Sequence, residues 1–167
     1  MPSFATQRRV RFTPRQMFDV VADVEQYPKF LPMCDSLVVR SRQNTPDGHS
    51  ILTATMGVGY KAIRETFTTR VTLAPQEPRI LVEYLDGPFK RLENRWRFLP
   101  AEGQGSGDQA LHAPGSIIDF YIDYEFRSHM LGILMGALFD KAFRKFAEAF
   151  EERAGLVYGH SSLLTRA

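Results

Sequence analysis

Cysteine is almost absent from this sequence: Cys34 is the single one among 167 residues. One cysteine excludes an internal disulfide and is typical of a reducing compartment. Membrane-spanning runs are missing as well, because the apolar run that opens the last predicted helix has only about ten residues where a span needs about twenty. Residues 1–12 show no apolar core before a cleavage site, so we expect no signal peptide. We therefore expect a cytoplasmic protein, with peripheral contact at the inner face of the cell membrane left open.

Net charge and metal-binding residues are also scarce. Lys and Arg exceed Asp and Glu by only 21 to 19, which does not indicate a DNA partner. The four histidines are scattered, and no two have the spacing of metal ligands on one element. No glycine-rich loop follows a strand and opens a helix, as phosphate-binding loops do. The sequence thus predicts no metal, no cofactor and no catalytic residue.

Phenylalanine, by contrast, is abundant, with 13 residues against one tryptophan. Hydrophobic residues make up 44% of the chain and charged residues 24%, which are ordinary values for a globular protein. The length suits one domain, which we place at residues 1–158, followed by a disordered tail at residues 159–167. The many aromatic rings suggest a wide apolar interior.

The strongest helix signal covers residues 128–155. Ser128 can cap its start, and Gly155 can end it in a left-handed conformation. Spacings of four, three and four place aromatic rings on one face, at Phe139, Phe143, Phe146 and Phe150.

The first half of this predicted helix has no polar side. Met130, Ile133, Leu134 and Leu138 occupy positions that carry charged residues two turns later. One interpretation is a core helix covered by a loop. The other is a helix whose first half helps to line or gate an apolar cavity.

The rest of the chain predicts a strand at residues 3–12, two short helices and six further strands. Thr13 opens a capping box before the first short helix, at residues 14–22, and Asp23 repeats that arrangement for the second, which ends near Leu31. Alternation in the later strands predicts one wet and one covered sheet face. We therefore predict an α+β helix-grip fold, in which a curved antiparallel seven-stranded sheet wraps around the long C-terminal helix.

Two predicted turns bear on the position of a pocket. In a meander, the turns at residues 57–59 and 86–89 lie at the sheet end where the long helix begins. We expect the mouth of a pocket at this rim. The glycine-rich segment 101–115, before the last strand, is predicted to be a mobile loop.

The acidic residues of the strands are out of phase with the apolar ones. They interleave with arginines that also point outward, so ion pairs on a solvated face explain them better than catalysis does. Glu65 is the exception, since it shares its phase with Phe67 and Val71. The acidic residues in question are Glu83, Glu93, Asp119, Asp123 and Glu125.

Three stretches resemble the coenzyme Q-binding START-like family: VADVEQYPKFLPMC at residues 21–34, DGPFK at residues 86–90 and DYEFRS at residues 123–128. The resemblance covers residues 2–155. This family belongs to the broader polyketide cyclase/dehydrase and lipid-transport superfamily, with START-like or Bet v 1-like helix-grip folds. The resemblance implies an apolar pocket that holds ubiquinone or a related lipid, in a carrier or chaperone that supports respiration or ubiquinone biosynthesis.

With this resemblance, inward-facing and rim residues become ligand-binding candidates. Asn94 and Tyr84 can hydrogen-bond a quinone carbonyl, and Cys34 is interpreted as a small buried hydrophobe. The predicted ligand contacts are Tyr27, Phe30, Leu31, Phe67, Tyr84, Pro88, Phe89, Asn94, Trp96, Phe120, Leu134, Met135, Leu138 and Phe139.

Two other functions stay open. The same family includes the bacterial ribosome association toxin, proposed to block the joining of ribosomal subunits, and such a protein would bind subunits in a salt-dependent way. The superfamily also contains cyclases and dehydratases, which leaves a small enzyme as the third interpretation.

Overall fold

The computed structural model describes residues 3–101 and 115–159. The elements in chain order are β1 (Ser3–Val10), α1 (Pro14–Ala22), a 3₁₀ helix (Val24–Lys29), β2 (Cys34–Asn44), β3 (Ser50–Tyr60), β4 (Ile63–Ala74), β5 (Arg79–Asp86), β6 (Phe89–Pro100), β7 (Ser116–Phe126) and α2 (His129–Tyr158). The predicted mobile loop at 101–115 and the predicted tail at 159–167 fall mostly outside the described residues.

The seven strands form one antiparallel sheet in the order β1-β7-β6-β5-β4-β3-β2. Strands β2 to β7 follow one another as a meander, and β1 pairs with β7 from Ser3 opposite Asp123 to Val10 opposite Ser116. The sheet packs against α2 through its inner face, on which alternate residues of β7 are buried. The predicted helix-grip architecture is confirmed.

The short helices follow the predicted positions, with one difference in their caps. Thr13 and Gln16 form the capping box of α1, and Met17, Val20 and Val21 are buried beneath it. The second helix is a 3₁₀ helix, and the side chain of Asp23 makes no capping hydrogen bond. The predicted second capping arrangement is therefore wrong. Pro28 lies inside this segment, and a proline at that position disfavours a regular α-helix.

The predicted turn at residues 57–59 is also wrong, because β3 continues to Tyr60 and the chain turns at Lys61, whose φ is 56°. The two glycines serve close approach instead. A Cβ on Gly57 would lie 2.4 Å from the Ser36 hydroxyl oxygen, and one on Gly59 would lie 2.3 Å from a carboxylate oxygen of Asp35. Both neighbouring side chains belong to β2, so these glycines lie in the paired part of β3 and not in a turn.

The long helix starts as predicted but ends later. Ser128 accepts a hydrogen bond from the backbone N–H of Leu131 and so caps α2. At the other end, Gly155 is buried within the helix, which continues to Tyr158. The Tyr158 hydroxyl donates to the Gln16 carbonyl over 3.1 Å, so this contact with α1 holds a further turn. Gly159, with φ at 81°, follows as the C-cap.

The outer face of the sheet carries several ion pairs, as the alternation of apolar and polar residues predicts. Arg91 bonds both Asp123 and Glu125, while Arg97 pairs with Asp119 over 3.2 Å. Arg70 pairs with Glu83, and Arg95 pairs with Glu93. Glu65 is half-buried opposite Val58 near the β3–β4 turn.

Candidate functional site

A cavity separates α2 from the inner face of the sheet. Including the part that opens to solvent, the empty space measures about 930 Å³, of which about 100 Å³ can hold the centres of water-sized molecules. Ligand sites in proteins are likewise concave and lined mainly by apolar side chains. Such a space fits the binding of an apolar molecule.

Three walls enclose the cavity. The sheet supplies one, and its β3 part consists of Ala54, Met56 and Val58 on alternate positions. The helix supplies the second, through Phe139, Ala142, Phe143, Phe146 and Phe150. The third is the 3₁₀ helix and the segment after it, which contribute Val24, Tyr27, Leu31, Pro32, Met33 and Cys34.

The third wall is fixed by specific contacts. The Tyr27 hydroxyl donates to the Val21 carbonyl, and the Tyr27 ring packs edge-on against Phe150 at 5.3 Å between centroids. Met33 has a φ of 68°, a left-handed conformation that is uncommon for a side chain of this size. Its carbonyl accepts from the Gly59 N–H over 3.0 Å, which ties the wall to the end of β3.

Several side chains of the cavity wall are only partly buried. Leu37 and Met56 line it from β2 and β3, Met33 from the third wall and Phe146 from the helix, and all four are half-buried. Val82 on β5 and Asn94 on β6 are half-buried too, whereas Leu92 on β6 is buried. The cavity wall is therefore not completely covered along β2 and β3.

Few polar side chains face this space. Asn94 donates from Nδ2 to the Tyr121 carbonyl over 2.9 Å, and its Oδ1 accepts from the indole Nε1 of Trp96 over 2.8 Å. These two bonds fix the orientation of the Asn94 amide, which retains one N–H donor and one acceptor site. Thr69, on β4, is buried and adds a hydroxyl.

The remaining polar groups of the wall are held neutral. Burial raises the pKa of Tyr27 well above its ordinary value, with smaller contributions from Cys34 and Asp23. Burial, together with the Asp35 charge, raises the pKa of the Cys34 thiol to about 11. Among the described residues that line the cavity there is no Asp, Glu, His, Lys or Arg. The cavity accordingly presents hydrogen-bonding groups rather than acids, bases or anionic nucleophiles at neutral pH.

Metal ligands do not converge in the part of the chain that the structure covers. Within residues 3–101 and 115–159, no three His, Cys, Asp or Glu side chains lie close enough to hold an ion. None of the helices in these ranges is both long and apolar enough to cross a membrane.

Six predicted ligand contacts meet around the cavity, although whether they touch a ligand stays a prediction. They come from the third wall, from β4, from β6 and from α2, which the fold brings together from distant parts of the chain. These residues are Tyr27, Leu31, Phe67, Asn94, Trp96 and Phe139.

The other eight predicted contacts lie elsewhere, and an aromatic cluster explains several of them. Phe89 is fully buried, stacks on Phe126 at 4.7 Å between centroids and packs edge-on against Phe67 and Tyr84. It fills the space between the sheet and the start of α2, where the pocket mouth was predicted. The predicted contacts outside the cavity are Phe30, Tyr84, Pro88, Phe89, Phe120, Leu134, Met135 and Leu138.

The remaining members of that group have identifiable roles. The Tyr84 hydroxyl accepts from the Phe89 N–H over 3.1 Å, and Phe120 packs behind Trp96 at 4.7 Å. On α2, Met135 is fully buried below the helix, and Leu134 is half-exposed to solvent. The helix start therefore lies beside the aromatic cluster and does not border the cavity.

Sequence reasoning missed most of the lining residues. The alternation that marked Phe67 and Trp96 applies equally to the inward residues of β3 and to Val71, Ile80, Val82 and Leu92. The helical spacing that marked Phe139 also places Phe143, Phe146 and Phe150 on the same face. The signal was present but could not separate a residue beside a void from one in the packed core.

The comparisons with known proteins agree with this geometry. The model of the family described as polyketide cyclase / dehydrase and lipid transport matches residues 10–151. The ribosome association toxin RatA of Escherichia coli is 33% identical over 158 residues, which cover 95% of this chain and 90% of RatA. The mitochondrial coenzyme Q-binding protein COQ10 homolog B of Xenopus laevis is 28% identical over 96% of this chain and 61% of its own length.

A solved structure supports the fold. The START superfamily protein from Mycobacterium smegmatis superposes with a TM-score of 0.72, covering 93% of this chain and 98% of that one, at 18% sequence identity. With the family model spanning most of the sequence, the chain belongs to the polyketide cyclase/dehydrase and lipid transport family.

Proposed function

We propose that this protein binds ubiquinone or a related hydrophobic lipid in the cavity beneath α2. In this proposal it serves as a quinone carrier or chaperone that supports respiration or ubiquinone biosynthesis, in the cytoplasm at the membrane surface. The observation that carries the proposal is the cavity itself, with mostly apolar walls and few polar groups. The similarity to a protein named for coenzyme Q binding supports the choice of ligand.

The polar groups suggest how a quinone head would be oriented. Quinone carbonyls are acceptors only, so they need donors from the wall. Asn94 retains one N–H after its bonds to Tyr121 and Trp96, and the Thr69 hydroxyl is a second donor. Tyr84, the other predicted partner, lies outside the cavity with its hydroxyl bonded to the Phe89 N–H. We therefore assign the head group to Asn94 and Thr69.

We infer a binding role without turnover. The side chains around the cavity that can transfer a proton are hydroxyls and one thiol, and burial raises the pKa of both Tyr27 and Cys34. A cyclase or dehydratase needs an acid or base close to its substrate. The carboxylates of the outer face, such as Asp119 and Glu83, are paired with arginines away from the cavity.

The test is mass spectrometry of an organic extract of the purified protein. We expect a quinone or related lipid in near-stoichiometric amount, and a smaller amount from Ala142→Leu. Ala142 is buried and lines the cavity, so a longer side chain there occupies ligand space. Ala137→Leu is the matched control, because Ala137 is exposed on the same helix and away from the cavity. Extracts without lipid, or equal amounts from both variants, would count against the proposal.

A second candidate follows from RatA, a ribosome association toxin that is 33% identical over nearly the whole of both chains. In this alternative the chain associates with ribosomes through basic surface residues. The outer-face arginines Arg70, Arg91 and Arg97 are already engaged with carboxylates, whereas Arg9 and Arg11 are exposed and form no ion pair with the described residues. Salt-sensitive sedimentation with ribosomal subunits, lost in an Arg9→Glu/Arg11→Glu variant, would favour this candidate.

A further inference from the structure

Exposed apolar side chains are concentrated at one end of this protein. Among the described residues, eight large hydrophobic side chains are exposed, and five of them lie at the sheet end where α2 begins. On the first turns of α2, Met130 is 66%, Ile133 65% and Leu134 50% exposed. Tyr60 and Leu85 are the other two, at the ends of β3 and β5.

Backbone contacts join two of these segments, and the topology places the third at the same end of the sheet. The Arg127 N–H, just before α2, donates to the Pro88 carbonyl in the β5–β6 turn over 2.9 Å. Phe89 at the start of β6 lies opposite Phe126 at the end of β7. In the meander the β3–β4 turn falls at the same end of the sheet as the β5–β6 turn. Two hairpin turns and the helix start therefore lie at one end of the protein, which we name the apolar rim (residues 60–64, 85–90 and 126–134).

The apolar rim is positively charged. Its three segments contain four Lys or Arg and one acid, Asp86, which gives a formal charge of +3 where the whole chain has +2. Lys61 and Lys90 are exposed and form no ion pair within the described part of the chain. Arg64 is bonded to Asp35, and the Arg127 guanidinium donates to the Phe89 carbonyl over 3.0 Å. Half-buried Glu65 and Glu125 directly adjoin the rim segments along the chain, and Glu125 is bonded to Arg91.

The apolar rim also adjoins the cavity. Met33, which lines the cavity and is half-buried, accepts a hydrogen bond from the N–H of Gly59, the residue before Tyr60. This contact links the wall of the cavity to the β3 end of the rim.

From these observations we propose that the apolar rim is a docking surface for a bilayer that contains anionic phospholipids. The inference rests on the proposed function in that a carrier of a membrane lipid has to reach the bilayer. Met130, Ile133 and Leu134 would lie below the head groups, with Lys61 and Lys90 at the level of the phosphates. Apolar side chains flanked by basic ones are the pattern of interfacial membrane binding.

The charges favour a bilayer over a second copy of the chain. In a two-fold dimer built on this surface, the net positive charge of one rim would meet the same net positive charge of the other, and like charges at an interface are unfavourable. An anionic bilayer offers the opposite charge to the same rim.

The test is sedimentation with quinone-free vesicles of phosphatidylcholine, with and without phosphatidylglycerol. We expect the wild type to bind the anionic vesicles more strongly, with binding weakened by salt. A Met130→Ser/Ile133→Ser/Leu134→Ser variant should lose about ten-fold or more in affinity, because the inserted apolar area disappears. The matched control is Leu156→Ser/Val157→Ser, at the opposite end of the same helix, where the side chains are 77% and 53% exposed. This control should bind like the wild type.

A second variant keeps the test decisive if the triple variant does not fold. Lys61→Glu/Lys90→Glu changes only exposed side chains and should abolish the preference for anionic vesicles. The inference is overturned if the wild type binds neither vesicle, if both rim variants bind as the wild type does, or if the rim mediates a concentration-dependent dimer instead. The vesicles carry no quinone, so the two proposals can fail separately. If the purified protein contains bound lipid but does not bind the vesicles, this inference alone is overturned. Vesicle binding by a lipid-free protein would instead overturn the proposed function.

Discussion

The two halves of α2 share an apolar inner stripe but differ on their outer side. In the second half, Phe143 and Phe150 are buried beneath the helix, and Arg144 pairs with Asp140 over 3.1 Å on the surface. In the first half, Met135 is just as buried, yet Ile133 and Leu134 are 65% and 50% exposed. Folding requires only the inner stripe to be apolar. Stability therefore does not explain the exposed apolar side of the first half of α2, whereas binding at this surface does.

The largest expected effect tests the contrast between the buried and the exposed side of α2 in its second half. Phe143→Ala removes a ring that lies 5.5 Å from the centroids of both Tyr124 and Phe139. We expect a loss of about 3–5 kcal/mol in the free energy of unfolding, toward the lower end because Phe143 borders the cavity and its neighbours can relax. Lys141→Ala, on the exposed side, should change it by no more than about 0.5 kcal/mol. Equal urea midpoints for the two variants would show that the helix faces are assigned wrongly.

The next prediction applies the same comparison to the first half. Met135→Ala should cost about 2–5 kcal/mol, because Met135 is fully buried below the helix start. Leu134→Ala, one residue earlier, should stay within about 0.5 kcal/mol, since half of that side chain is already in water. Urea unfolding of both variants measures the difference. If Leu134→Ala costs as much as Met135→Ala, the exposed apolar side contributes to the core, and the reason for treating it as a binding surface disappears.

Periodicity was enough to predict the architecture. Alternation identifies the covered face of each strand, as in Phe120 and Tyr124, which are both buried. The spacing of Phe139, Phe143 and Phe150 likewise identifies the inner face of α2. These signals succeed because burial of a face is a property of one element, which the local pattern encodes.

The boundary of the cavity could not be predicted in this way. Phe67 and Phe89 both point inward, yet Phe67 lines the cavity and Phe89 fills the aromatic cluster beside it. The difference depends on how far α2 stands from each strand, which no single element encodes.

The predicted ends of β3 and α2 were wrong for a similar reason, since each depends on contacts with another element. Gly57 and Gly59 lie beside Ser36 and Asp35 of β2, and the last turn of α2 is held by a hydrogen bond to α1.

The smallest expected effect concerns the charged outer face of the sheet, which resembles the outer side of the second half of α2. Arg91 donates to both oxygens of Asp123, at 3.0 and 3.1 Å, and this hydrogen bonding lowers the pKa of the Asp123 carboxyl below its ordinary value. A lowered folded-state pKa means that the stabilisation is present above the ordinary carboxyl pKa of about 3.9 and is lost as the pH falls through the folded value.

The pair of Arg91 and Asp123 is partly exposed, so Asp123→Asn should cost at most about 1 kcal/mol at neutral pH. This difference from the wild type should shrink in urea titrations below about pH 4. Glu152→Gln, on the exposed side of α2, is the control and should change the urea midpoint little at neutral pH.

Lipid binding should survive in Asp123→Asn, because Asp123 is bonded on the outer face and does not line the cavity. Loss of bound lipid from a folded Asp123→Asn protein would instead place a carboxylate in contact with the ligand, and the contrast between a charged outer face and an apolar cavity would no longer hold.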